Sequence, residues 1–187
     1  MILSDRNILE AVEKQEIVID PFDRARLGTN SYDVTLAPTM MEVDDRYDSL
    51  DCRKESEAEE FSIQEGGVVL YPGHLYLGVT DEYTESHRDV PFLDGKSSIG
   101  RLGIAIHVTA GRGDVGFFGH WTMEIVVVRP VRVYAGMPIG QLIWFRTASP
   151  PLVPYDWKPG AKYSARGRRE RPVPAPSQMW RNFGAKP

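Results

Sequence analysis

Gly119-His120-Trp121-Thr122-Met123-Glu124-Ile125-Val126-Val127-Val128 is the stretch on which the reading of this 187-residue chain turns. From Trp121 onward it is built of aromatic and β-branched residues, the composition of a pleated strand. Runs of the same texture recur at 16–19, 32–36, 68–71, 75–79, 103–109, 132–134 and 139–145. Between them fall 17 glycines and 14 prolines without a period, as many tight connections require. The opening of the chain alone departs from this texture: Ser4 offers an N-cap, and Ile8, Leu9 and Val12 follow at helical spacing. The expected fold is mainly β, a distorted β-barrel or jelly roll with one short N-terminal helix.

Composition narrows the function classes. A chain with 42% hydrophobic and 26% charged residues can bury the core of one domain. A net charge of -4 argues against a surface that embraces nucleic acid, so any phosphate site must be local. No apolar run approaches a membrane span and the N-terminus lacks a basic-then-apolar signal pattern, so a soluble cytoplasmic protein is expected, with neither nucleic acid nor membrane as partner. Cys52 is the single cysteine, which excludes an internal disulfide and a cysteine-rich zinc site. Residues 43–61 are mostly polar and acidic and read as a solvated loop without assigned function. Residues 1–157 form the expected β domain, and 158–187 a basic arm belonging to it. Here Lys158, Lys162, Arg166, Arg168, Arg169, Arg171, Arg181 and Lys186 face one acid, Glu170, and Pro172, Pro174 and Pro176 oppose regular structure, which suggests a mobile arm.

Two segments carry chemistry. In Asp94-Gly95-Lys96-Ser97-Ser98-Ile99-Gly100-Arg101, a glycine turn, two hydroxyls and two cations lie close together, which suits a phosphate cradle and equally a capped turn opening a short helix. Glu124 is an isolated carboxylate between Met123 and Ile125. Burial would raise its pKa toward the range of proton transfer, so it is either catalytic or paired structurally, for instance with Arg101 or Arg112. His107 and His120 lack the carboxylate or cysteine spacing of metal ligands and read as hydrogen-bonded residues of the barrel.

The joint pattern of Gly95-Lys96-Ser97-Ser98-Ile99-Gly100-Arg101-Leu102-Gly103, His107-Val108-Thr109-Ala110-Gly111, Asp114, Gly119 and Glu124 resembles the signature of dCTP deaminases, in the dUTPase-like superfamily. Met1-Ile2-Leu3-Ser4-Asp5, Asn30-Ser31-Tyr32-Asp33-Val34, Pro138-Ile139-Gly140-Gln141-Leu142 and Ala161-Lys162-Tyr163 are similar to the family in the same order, so the likeness spans nearly the whole chain. It implies a homotrimer with active sites between subunits and hydrolytic deamination of dCTP to dUTP and ammonia. Glu124 would activate the water, Lys96, Ser97, Ser98 and Arg101 would hold the triphosphate, and Ala110 and Arg112 would position base and water. Asp114 would meet the sugar hydroxyl, Thr122 the base, and Tyr155, Lys162 and Arg166 would close the tail over the nucleotide as a lid. Magnesium would travel on the triphosphate, with no protein metal site, and dTTP is a candidate inhibitor. Zinc deaminases need paired cysteines, so the single Cys52 points away from that mechanism.

This sequence departs from the family pattern at Arg166, where a glutamine is usual, at Gly113, where a β-branched residue is usual, and in its ending. Gly111 and the Gly119-His120 step resemble some bifunctional members that carry dUTP on to dUMP and pyrophosphate, which is the alternative reading. A plain dUTPase fits less well, because Phe117 stands where a tyrosine is expected and a glycine-rich C-terminal motif is missing. A non-catalytic nucleotide-sensing module is the third possibility.

Overall fold

The structure, a computed structural model, describes residues 1–43, 49–164 and 171–183. Helix α1 (Asp5–Glu13) opens the chain with Ser4 at its N-cap, although the Ser4 hydroxyl donates to Asn7 Oδ1 at 3.1 Å instead of capping a backbone amide. Its Ile8 and Ala11 are buried. The strands that follow are β1 (Ile17–Asp20), β2 (Tyr32–Thr35), β3 (Thr39–Val43), β4 (Ala58–Ser62), β5 (Val68–Leu70), β6 (Tyr76–Val79), β7 (Tyr83–Ser86) and β8 (Asp89–Gly95). After helix α2 (Ser97–Arg101) come β9 (Ile104–Ala105), β10 (Phe117–Gly119), β11 (Thr122–Val127), β12 (Val131–Val133) and β13 (Pro138–Arg146).

These strands form sheets ordered β4-β3-β6-β11-β9, β1-β7-β10, β2-β13-β8 and β12-β5, with antiparallel pairing throughout. The sheets keep free edges, so the described strands make a distorted, jelly-roll-like sandwich and not the closed barrel that was one expectation. Between the layers, Tyr32, Leu36, Met40, Leu70, Met123 and Trp144 are fully enclosed, each burial contributing about 1.5–3 kcal/mol.

Several sequence expectations change. Part of the acidic 43–61 stretch is a strand: β4 pairs with β3 from Thr39↔Ser62 to Val43↔Ala58. Its Glu59 and Glu60 are exposed, as an edge strand permits. Residues 103–109 shorten to the two-residue β9. Strand β8, which contains Asp89, Pro91, Asp94 and Gly95, is not among the expected strands. Tertiary pairing along β13, from Gly140↔Gly95 to Arg146↔Asp89, holds it extended. The burial of strand β11 alternates: Met123, Ile125 and Val127 enter the core and Thr122, Glu124 and Val126 do not.

Candidate active site

That alternation brings Glu124 out of the core and into a cavity of about 720 Å³. The half-buried carboxylate accepts a hydrogen bond at Oε2 from the Val108 amide at 3.3 Å. Among the described residues, neither Arg101 nor Arg112 forms an ion pair with it, so neither of those two pairings is present. Ala110, Arg112, Asp114, Thr122 and Tyr155 line the same cavity, joining six of the sequence-predicted site residues around one space. They arrive from β11, from the 107–114 segment that crosses β8, and from the turn Tyr155–Trp157. The crossing is fixed by the Leu93 amide donating to the Gly111 carbonyl at 2.7 Å and by the Phe92↔Arg112 bridge.

The tail supplies a further wall of the cavity, through residues other than those expected of the lid. Arg171, Val173, Ala175, Pro176 and Ser177 also line it, so part of the basic arm forms a strap across the site. Pro174 is buried, the Ala175 amide donates to Thr122 Oγ1 at 2.9 Å, and the Gln178 amide donates to the Tyr163 hydroxyl at 3.0 Å. Arg171 pairs with Glu60 of β4 at 2.6 Å, and the Arg53 guanidinium lies 5.7 Å from the Phe183 ring centre. Thr122 was assigned to the base through its backbone; its side chain holds the strap. The prolines that deny the strap regular structure also keep it extended, which was the one local signal available. Tyr155 anchors the strap's root, its hydroxyl accepting from the amides of Lys162 at 3.0 Å and Tyr163 at 3.2 Å. Lys162 Nζ donates to Asn182 Oδ1 at 2.6 Å, directed along the tail. Arg166, the third lid residue expected, lies outside the described residues.

Beneath Thr122 the strand is bolted to its neighbours. The Trp121 amide donates to Thr80 Oγ1 at 2.9 Å and its indole N–H to Thr84 Oγ1 at 2.9 Å, while the Thr80 hydroxyl donates to the Glu82 carbonyl at 2.9 Å. Glu82, fully buried, receives the Thr35 amide and hydroxyl at 2.9 Å each, and also Arg26. Burial pushes its carboxyl above the ordinary value, opposed by the Thr35 donors and Arg26. His120 lines the cavity, with Nδ1 3.0 Å from the Thr80 carbonyl oxygen and Nε2 buried without a hydrogen-bond partner among the described residues.

The remaining predicted residues lie apart. Lys96 and Ser97 line a separate groove of about 470 Å³, with Ser98 and Arg101 exposed on α2 beside it. Lys96 is not a free cation, because Nζ pairs with Asp33 of β2, and an incoming phosphate would have to compete with that carboxylate. Lys96 occupies the N-cap position of the short helix, without a side-chain capping hydrogen bond. One segment links the two spaces: Ala105, Ile106 and His107 face the groove, the Val108 amide reaches Glu124, and Ala110 faces the cavity. His107 Nε2 is 3.8 Å from Asp94 Oδ1. Among the described residues, no group of three His, Cys, Asp or Glu side chains could hold a metal, and no helix is long and apolar enough to cross a membrane.

The chain is similar to known proteins along most of its length. The family model described as dCTP deaminase-like matches residues 2–147. A Clostridium acetobutylicum protein named dCTP deaminase, dUMP-forming, is 47% identical over 144 residues, covering 77% of this chain and 82% of that protein. A protein of the same name from Leptospira biflexa is 41% identical over 186 residues, covering 100% of both. Among solved structures, the 2'-deoxycytidine 5'-triphosphate deaminase from Agrobacterium tumefaciens matches with a TM-score of 0.62 at 21% identity. That match covers 78% of this chain and 48% of the other, so this chain spans about half its length, and the likeness is one of fold.

Proposed function

The chain belongs to the dCTP deaminase-like family, and from that premise we propose that it deaminates dCTP and cleaves the resulting dUTP, releasing dUMP and pyrophosphate. The observation that carries the reading is Glu124, a carboxylate on the wall of a nucleotide-sized cavity, steadied by the Val108 amide and unpaired with any arginine among the described residues. In this role it takes a proton from the water that attacks C4 of cytosine and delivers a proton to the departing amino group, so that C–O forms, C–N breaks and ammonia leaves. The names of the relatives favour the second step, in which water displaces pyrophosphate at the α-phosphorus, over a reaction that stops at dUTP.

The separation of the phosphate-type groove from the cavity supports a homotrimer in which one subunit's α2 completes another's cavity. Leu102, Val108 and Val128 flank the segment joining the two and are 50%, 60% and 76% exposed, apolar surface that an interface would cover. In this reading Lys96, Ser97, Ser98 and Arg101 grip the triphosphate, Asp114 takes the sugar hydroxyl, and Lys162 and Arg166 turn toward phosphate when nucleotide binds. Magnesium fits as a cation carried on the phosphate oxygens, where it would offset their charge. A cytoplasmic setting suits such a reaction.

The test is incubation with dCTP and magnesium, resolving nucleotides by chromatography and assaying ammonia and pyrophosphate. Ammonia, pyrophosphate and dUMP in equal amounts support the proposal. Accumulating dUTP with ammonia limits the chain to deamination, and no product points to a sensing module. Glu124→Gln should lower deamination by about 10²–10⁴-fold while nucleotide binding persists; normal turnover by that variant would remove Glu124 from the mechanism.

A further inference from the structure

We propose that His120 holds the water that attacks the α-phosphorus, its Nε2 accepting a hydrogen bond from that O–H; this rests on the dCTP-to-dUMP reading above. The tautomer follows from the partner. Nδ1 lies 3.0 Å from the Thr80 carbonyl oxygen, which can only accept, so Nδ1 carries the hydrogen. The neutral ring then presents a bare lone pair at Nε2. That atom is buried and has no partner among the described residues, although the ring lines the cavity. Buried acceptors in native proteins are nearly always satisfied, and one left orphaned at a cavity wall is suited to a donor that arrives with the ligand.

Position selects the donor. His120, Thr122 and Glu124 share the cavity side of one extended run, at about 3.3 Å per residue, so His120 stands roughly 13 Å along the run from Glu124. A pyrimidine ring spans less than half that distance. With Glu124 at the amino-bearing carbon, His120 reaches past the base toward sugar and phosphate. Ionised phosphate oxygens carry no hydrogen. The deoxyribose has one free hydroxyl, whose hydrogen Asp114 takes in the reading above, so the donor is the water that attacks the α-phosphorus.

Two substitutions separate this role from a structural one. His120→Asn retains an N–H where Nδ1 meets Thr80 and has no atom at Nε2; His120→Gln places an acceptor near Nε2 and gives up the Thr80 bond. The full chain is assayed with dCTP and, separately, with dUTP, each with magnesium, alongside thermal melts. The expected result is a loss in kcat/KM of about tenfold or more for His120→Asn with an unchanged Tm, and substantial retention of activity by His120→Gln despite a lower Tm. With the attacking water as donor, that loss falls on dUTP cleavage, and with dCTP as substrate dUTP accumulates while ammonia release is unaffected. Wild-type kinetics in His120→Asn, or loss confined to His120→Gln, would overturn the inference alone. A wild-type chain that converts neither nucleotide would overturn the functional reading and this inference with it.

Discussion

Thr122→Val tests whether the strap is a working part of the site. The substitution keeps a β-branched side chain of similar shape on β11 and removes only the oxygen that accepts the Ala175 amide at 2.9 Å. The strap's other ties are weaker or peripheral. Arg171 and Glu60 are 61% and 41% exposed, a pair worth about 0–1 kcal/mol, and the Gln178 amide lies at the surface. A hydrogen bond between partly buried neutral groups contributes about 0.5–1.5 kcal/mol, and an amide left without its acceptor costs about 1–3 kcal/mol if the strap stays in place. Opening should therefore become easier by about 1–2 kcal/mol, a factor of roughly 5–30 in the closed-to-open ratio. Hydrogen exchange followed by mass spectrometry should show that factor in peptides covering 171–178. KM should rise by a similar factor if closure accompanies binding, with Tm changed little. Thr122→Ser, which restores the oxygen, should return both readouts to wild type. Unchanged exchange in Thr122→Val would refute the assignment of Thr122 as the strap's anchor, and faster exchange with an unchanged KM would refute the strap's part in binding.

Two further outcomes follow from the framework around the site. Gly103 ends α2 with φ +84, and a Cβ there would lie 2.3 Å from Val128 Cγ2. Gly103→Ala should cost about 1–2 kcal/mol, a Tm decrease of roughly 2–8 °C by calorimetry, and should raise KM by displacing Ser97 and Arg101. Glu82, raised above the ordinary carboxylate value chiefly by burial, holds its proton in the folded chain to higher pH than in the unfolded chain. Its contribution is then full below the ordinary value and declines as pH climbs through the raised one. Denaturant titrations between those limits should show that decline in wild type and a flatter profile in Glu82→Gln.

Local sequence was enough for the mainly β class, for α1 and for most central strands, because apolar and β-branched runs between glycines and prolines have few other ways to bury their side chains. The motif residues were legible as well: Glu124, Ala110, Arg112, Asp114, Thr122 and Tyr155 do gather around one cavity. Other features were set at a distance. Strand β8 contains proline, glycine and aspartates, and is extended only because β13 lies alongside it. The outward aim of Glu124 was settled by which face of β11 met the core, a two-residue alternation hidden within a run of apolar side chains. Tertiary structure alone placed the proline-rich strap on Thr122, paired Lys96 with Asp33, and left His120 Nε2 without a partner among the described residues. Each of these depends on residues far apart in the chain meeting in space, where burial and the geometry of donor and acceptor decide the pairing and neighbouring residues do not.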